Sequence, residues 1–318
     1  MIRGDRFYLC KMRHNEDARS GFTLIELSIV LVIIGLIVGG VLVGQDLIRA
    51  AEVRATISQL EKYNAAANTF YGKYGYLPGD INPLAAQQFG FSARTGTKGR
   101  GNGDGLIEGI DASARNDGSA IAAGETALFW VDLSTAHLID GGFSAAGLSV
   151  PGYSLTATMI GQYMPEAKLG RSNYIYVWSG GLLADGSGGS DGKNYFGISG
   201  VYSIPQNMTG YPNTMAIMTV RQAYDIDTKI DDGLPQSGRV MAYFNMVGVG
   251  WAAGGTNPVA RTYVYGAHSG SNGPTTNSTA ASASTCYDNG ASAGVAQHYS
   301  IGTNGGAGSN CGLTISFQ

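Results

Sequence analysis

The chain has 318 residues, of which 49 are Gly and only 14% are charged, and its formal net charge is -3. This length allows one substantial hydrophobic core together with an extended element and long loops. The small share of charged residues excludes disorder driven by high charge. The net charge gives no sign of a basic groove for nucleic acid, and the sequence does not decide whether nucleic acid binds.

The N-terminal region places a polar segment before an apolar one. Residues 1–21 contain five basic residues and end in Gly21, and the uncharged run after Glu26 belongs to an apolar segment, residues 22–44. A secretory signal has its apolar core before the cleavage site, so this order is inverted. The apolar segment spans about 34 Å as a helix, which predicts a membrane crossing. Because the basic residues precede it, we expect the N-terminus in the cytoplasm and the remaining chain outside.

An amphipathic pattern continues the apolar helix. Apolar residues such as Leu60 and Ala67 recur at helical spacing, with charged residues such as Glu61 between them. Pro is absent until Pro78, where a Gly-rich turn ends the pattern. The sequence therefore predicts one helix of about 50 residues within 22–77.

The residues around the candidate cleavage point carry a family resemblance. The segment Gly21-Phe22-Thr23-Leu24-Ile25-Glu26, followed by an apolar helix, resembles the type IV prepilin signature, and the resemblance covers residues 13–77. In that family a membrane aspartyl peptidase cleaves after the residue that corresponds to Gly21 and methylates the new amino group, here that of Phe22. The resemblance implies a cleaved leader at 1–21, a transmembrane and amphipathic helix at 22–77, and an extracytoplasmic head at 78–318. It also implies a prepilin peptidase and an inner-membrane assembly platform as partners.

Glu26 is the one carboxylate in the apolar segment. An acidic residue at the centre of a membrane helix costs roughly 2.5–3.5 kcal/mol, so we expect it to have a partner. The family resemblance implies that this partner is the positively charged N-terminus of Phe22 on a neighbouring subunit, which gives Glu26 a role in assembly. The alternative is that Glu26 lies near the membrane boundary and reaches water.

Two acidic segments are candidate Ca²⁺ sites. The Gly-rich segment 101–111 offers oxygen ligands from Asn102, Asp104, Glu108 and Asp111. It meets the EF-hand pattern only in part, because Arg100 takes the place of the first Asp. The alternative is a solvated turn and a protein without a cofactor. A second cluster, Asp225, Asp227, Asp231 and Asp232, is explained either by a metal ion or by helix capping and a turn.

The head is predicted to contain short helices and strands. Helices are expected at 124–140 and from Thr219 to Ile230, where Thr219 and Gln222 form a capping box. Runs of β-branched and aromatic residues predict antiparallel strands at 154–160, 174–178, 195–202, 214–218 and 239–247. A long loop is expected at 252–312. The expected fold class is α+β, with the long N-terminal helix packed on an antiparallel β-sheet head, as in type IV pilins.

Cys286 and Cys311 form an even pair in a loop-rich region that we expect outside the cytoplasm. Such a pair predicts a disulfide, which contributes about 3 kcal/mol in the chain-entropy model for a loop of this size. Two unpaired, buried thiols are the alternative.

No sequence motif indicates an enzyme. H-E-x-x-H and C-x-x-C are missing, and His137, His268 and His298 are far apart in the chain. The expected function is a structural subunit of a type IV pilus-like filament, a helical homopolymer that serves adhesion, motility or DNA uptake. It would begin as a single-pass inner-membrane precursor and end in a pilus, at the cell surface or in a periplasmic pseudopilus. The alternatives are a pseudopilin of a type II secretion system and a membrane-anchored extracytoplasmic binding protein.

Overall fold

The structure is a computed structural model that describes residues 22–110, 116–117, 121–179, 192–204, 213–242, 280–283 and 285–317. The chain divides into two compact units between Ile48 and Arg49. The expected boundaries at residues 21 and 77 stay predictions.

The first unit contains the beginning of α1, a helix that runs from Leu24 to Tyr74 and has 51 residues. Its large apolar side chains up to Ile48 are all exposed. This stretch of α1 is long and apolar enough to cross a membrane, by length and composition. A helix suits such surroundings because its backbone N–H and C=O groups bond to one another rather than to water.

The second unit includes the rest of α1, where the helix becomes amphipathic. One face is buried, and its members recur every three or four residues, as a core-facing helix requires: Val53, Thr56, Leu60, Tyr63, Ala66, Ala67 and Phe70. The ring of Tyr63 meets that of Trp130 edge-on, with centroids 5.0 Å apart. The predicted helix within 22–77 is therefore confirmed.

Four further helices belong to the second unit: α2 (Pro83–Phe89), α3 (Glu125–Thr135), α4 (Ala157–Ile160) and α5 (Val220–Ile230). The prediction for α5 is confirmed, including the capping box of Thr219 and Gln222. Helix α2 was not predicted, although Asn82 caps its first turn through a 2.9 Å bond from Ala85 N–H.

The prediction for α3 extended too far, to residue 140. The helix ends at Thr135 because His137 adopts a left-handed conformation, φ 56°. The N–H groups of His137 and Leu138 then donate to the carbonyls of Ser134 and Leu133. This is a Schellman termination with His in the position that Gly usually takes.

Twelve strands lie in the described residues: β1 (Gly109–Ile110), β2 (Asn116–Asp117), β3 (Leu155–Thr156), β4 (Asn173–Ser179), β5 (Asn194–Ile204), β6 (Asn213–Met215), β7 (Met218–Thr219), β8 (Val240–Met241), β9 (Tyr287–Asp288), β10 (His298–Tyr299), β11 (Ser309–Cys311) and β12 (Leu313–Ser316). All their pairings are antiparallel. A six-stranded sheet contains β3, β4, β5, β6, β8 and β12, and the other strands form two-stranded pairs. The α+β prediction with an antiparallel sheet is thus confirmed.

Strand β5 organises the sheet, because β3, β4, β6 and β12 all pair with it. Tyr176 on β4 lies directly opposite Gly197 on β5. A Cβ atom at residue 197 would lie 2.2 Å from the Tyr176 ring, so only Gly leaves room for this buried ring. The Tyr176 hydroxyl lies 3.0 Å from the hydroxyl of Ser199, which satisfies it inside the core.

Several strand predictions need correction. Residues 157–160 form α4 rather than a continuation of β3, and the 214–218 prediction corresponds to two short strands, β6 and β7. Of the 239–247 prediction, β8 is present and residues 243–247 lie outside the described residues. The expected loop 252–312 contains β9, β10 and β11 in its described part, and β12 follows it.

Candidate functional site

The N-terminal end of α1 is closed by a reciprocal pair of side chains. Thr23 precedes the helix, and its N–H and hydroxyl both donate to Oε2 of Glu26 at 2.8 Å. In return, the N–H of Glu26 donates to the Thr23 hydroxyl oxygen at 3.3 Å. This is a capping box, which satisfies two backbone donors that the helix itself cannot pair.

The capping box leaves one Glu26 oxygen available. Both bonds from Thr23 end on Oε2, and in the described part of the chain Oε1 receives none. The negative carboxylate also lies in the first turn, where the helix dipole favours an anion. Glu26 is therefore held in place within its own chain and still presents an acceptor.

Phe22 precedes the capping box and is 86% exposed. It is the first described residue, and Gly21, the other half of the predicted processing site, lies outside the described residues. From Phe22 to Ile48 the surface is apolar and exposed apart from Glu26 and a few small or polar residues. A surface of this kind is stable only in lipid or against other protein.

The predicted Ca²⁺ segment folds as a Gly-rich loop whose N–H groups point at buried acceptors. Asp80 accepts the N–H groups of Gly103 and Gly105, both at 2.7 Å. Glu125 accepts those of Gly101 at 2.7 Å and Glu108 at 2.9 Å. Two carboxylates from outside the segment thus determine its backbone shape.

Of the four predicted Ca²⁺ ligands, the structure describes Asn102, Asp104 and Glu108. The amide of Asn102 donates to Asp104 at 2.8 Å, and Asp104 in turn accepts the N–H of Leu106 at 3.0 Å. Glu108 is fully buried, and Asp111 lies outside the described residues. Binding of Ca²⁺ by this loop stays a prediction.

The loop carboxylates are strongly affected by their surroundings. Burial raises the pKa of Asp80 to about 6, against the opposing effect of the Gly105 and Gly103 N–H bonds. Burial also raises the pKa of Glu125 well above its usual range, and the nearby charge of Asp80 adds to this. Sequence reasoning missed both residues, since neither lies in an acidic run.

A buried ion pair stands beside this loop. Arg94 Nη2 lies 2.8 and 2.7 Å from the two oxygens of Asp132, and both side chains are fully buried. The second of these oxygens also accepts the N–H of Gly79 at 2.7 Å. The pair fixes the segment between α1 and α2 to helix α3.

In the second acidic cluster, Asp227, Asp231 and Asp232 bring one oxygen each within 4.8 Å of the others. Asp227 accepts the Gly233 N–H at 3.0 Å, and Asp232 accepts the Leu234 N–H at 2.8 Å. Asp231 accepts the N–H of Arg239. These bonds close the turn after α5, as the capping and turn alternative expects, and Asp225 is paired with Arg221 at 3.0 Å instead.

Cys286 and Cys311 are joined by a disulfide, with Cα atoms 5.2 Å apart and both residues fully buried. The bond links the segment before β9 to β11. Since β11 pairs with β7, next to α5, the disulfide attaches the C-terminal region to the core of the second unit.

Comparison with known protein families identifies the N-terminal segment. Residues 17–42 match the family model described as the prokaryotic N-terminal methylation motif. No curated protein and no solved structure matches the chain. The matched residues include the predicted cleavage point, the capping box and nearly all of the apolar segment 22–44. This motif is the hallmark of type IV prepilins and pseudopilins, and the chain carries it at its N-terminal segment.

Proposed function

We propose that the chain is a structural subunit of a type IV pilus-like filament, polymerised through its N-terminal helix. The observation that carries this proposal is the methylation motif at 17–42, which continues directly into an exposed apolar helix. The motif implies processing by a prepilin peptidase and assembly into a pilin-type filament. Leaving the membrane would expose the apolar surface to water, so burial against other copies is the physical consequence.

The precursor is an inner-membrane protein with its N-terminus in the cytoplasm. The basic residues of segment 1–21 support this orientation, because cytoplasmic flanks of membrane helices are enriched in Lys and Arg. Cleavage between Gly21 and Phe22 then yields the subunit that enters the pilus.

Glu26 guides the docking of an incoming subunit. Its Oε1 atom is available while Oε2 is held by Thr23, so the carboxylate is already oriented before a partner arrives. The methylated amine of Phe22 on a neighbouring copy is the complementary cation. Attraction between the two in a medium of low dielectric constant fixes the axial step of the polymer.

Two measurements on cells that make the protein test the proposal. Mass spectrometry of the mature N-terminus should find N-methyl-Phe22, and mechanical shearing should release the protein in filaments. Gly21→Val should leave a longer, unassembled precursor. Full-length protein that stays in the membrane, with no sheared fraction, would contradict the proposal and favour a membrane-anchored binding protein.

A pseudopilin of a type II secretion system is the second candidate, because the same motif occurs in prepilins of both kinds. Deleting the gene distinguishes them. Loss of surface filaments with normal export of secreted enzymes supports the pilus. Retention of secreted enzymes in the periplasm supports the pseudopilus.

A further inference from the structure

The chain contains four Asn-Gly pairs, at Asn102, Asn272, Asn289 and Asn304, and Asn272 lies outside the described residues. In such a pair the backbone nitrogen of Gly attacks the side-chain amide carbon of Asn. A C–N bond forms, ammonia leaves, and water opens the resulting succinimide to Asp or isoaspartate. Gly favours this reaction because it has no Cβ atom to obstruct the approach.

At Asn102 the attacking nitrogen, that of Gly103, is held by a hydrogen bond. Gly103 N–H donates to Asp80 at 2.7 Å, and the Asn102 amide donates to Asp104 at 2.8 Å. The nitrogen must lose its proton to attack, and the adjacent carboxylate disfavours the resulting anion. The loop therefore has to open before Asn102 reacts.

At Asn289 the same protection recurs. Gly290 N–H donates to Asp288 at 3.0 Å, and the Asn289 amide donates to the Val295 carbonyl at 3.0 Å. Asn289 is also only 3% exposed, so water has little access to its amide.

Asn304 lacks both kinds of protection. Asn304 and Gly305 are exposed and have positive φ angles of 50° and 61°, the geometry of a type I′ turn. The turn is closed by the Gly306 N–H to Thr303, at 2.9 Å, and by the Ala307 N–H to Asn304, at 3.2 Å. Within the described residues, neither the Asn304 side chain nor the Gly305 N–H makes a hydrogen bond.

From this contrast we infer that Asn304 is a site of spontaneous deamidation in the folded protein, and that the fold protects Asn102 and Asn289. The reaction requires only the rotation of an exposed turn. It places a new negative charge two residues from Gly306, which packs against Arg221 in the first turn of α5. A helix N-terminus favours such a charge, so the product is compatible with the fold.

The experiment incubates the full chain in detergent micelles at mildly alkaline pH, with a second sample unfolded in guanidinium and reduced. Peptide mass spectrometry follows the three Asn-Gly peptides, and isoaspartyl methyltransferase labels the isoaspartate. In the folded sample, Asn304 should react at least about tenfold faster than Asn102 or Asn289, since a hydrogen bond to a charged acceptor slows each protected site by about that factor or more. In the unfolded sample the three rates should be comparable.

Asn304→Gln is the matched control, because its longer side chain closes the ring slowly while it keeps the amide. It should remove the signal from the peptide around residue 304 and leave the other two unchanged. A folded sample in which Asn304 reacts no faster than Asn102 or Asn289, while the unfolded sample converts all three, would overturn the inference.

Discussion

The hydroxyl of Tyr299 donates a 2.7 Å hydrogen bond to the buried carboxylate of Asp227, which joins β10 to α5. Burial raises the pKa of Asp227 to about 7, although the bonds from Tyr299 and Gly233 oppose this. The folded protein thus holds a proton that the unfolded chain releases at lower pH. The contribution of this carboxyl group to the free energy of unfolding is fully present below about pH 4 and is lost as the pH rises through about 7.

We therefore expect Asp227→Asn to reduce the pH dependence of the melting temperature between about pH 4 and 7. A smaller slope should remain, because burial also raises the pKa of Asp80, to about 6. Thermal melting of the full chain at a series of pH values measures this. Asp225→Asn on the same helix is the control and should keep the original slope. An unchanged slope in Asp227→Asn would show that Asp227 stays ionised.

The buried pair of Arg94 and Asp132 gives a second prediction. Arg94→Met leaves a buried carboxylate without its cation, which should lower the free energy of unfolding by about 3–5 kcal/mol. Adding Asp132→Asn should recover part of the loss, because the charge is gone and an acceptor remains for the N–H of Gly79. Denaturant unfolding of the two single mutants and the double mutant measures the coupling. Additive losses would mean that the two side chains do not interact.

The disulfide gives a third prediction. Its cysteines are 25 residues apart, and closing a loop of that size stabilises by about 3 kcal/mol. Replacing both Cys286 and Cys311 by Ser should therefore lower the melting temperature to that of the reduced wild type. A wild-type melting temperature that does not respond to reductant would contradict a role for the bond in stability.

The two roles of Glu26 can be separated by mutation. Glu26→Gln keeps a capping box but removes the charge, whereas Glu26→Val removes both. We expect cleavage after Gly21 in both mutants, since the processing site is untouched, and loss of sheared filaments in both. Filaments of normal yield in Glu26→Gln would show that helix capping is sufficient and that the charge pair is not needed.

The Ca²⁺ prediction is tested on the head's stability. If residues 101–111 hold the ion, a chelator should lower the melting temperature and added Ca²⁺ should restore it. Asp104→Ala should abolish this response, while Asp140→Ala, in a different segment, should retain it. If a chelator has no effect on the wild type, the loop does not bind Ca²⁺ and its shape depends on Asp80 and Glu125 alone.

The sequence predicted those parts of the fold whose signals are local. The long helix follows from its apolar and amphipathic periodicity, and α5 from the Thr219–Gln222 capping box. The predicted end of α3 was wrong because His137, rather than Gly, adopts the left-handed conformation that ends the helix. Nothing in the neighbouring residues distinguishes that His from one within a helix.

In the candidate sites too, the sequence predicted features with local signals and missed those that depend on distant residues. The methylation motif is a contiguous segment and was recognised from its residues alone. The capping box of Thr23 and Glu26 also has a contiguous signal, Thr-x-x-Glu before an apolar run, although the sequence analysis did not predict it. Asp80 and Glu125 contact loop residues that are 17 to 25 positions away along the chain, so only the folded chain shows these contacts.

The position of β12 has a consequence for how the head is made. This strand lies between β5 and β8 in the sheet, although more than 100 residues separate it from β5 along the chain. The sheet therefore cannot close until the ribosome has produced residues 313–316. Until then, β5 presents an unpaired edge, so a ribosome stalled before that point carries a head open to aggregation and proteolysis.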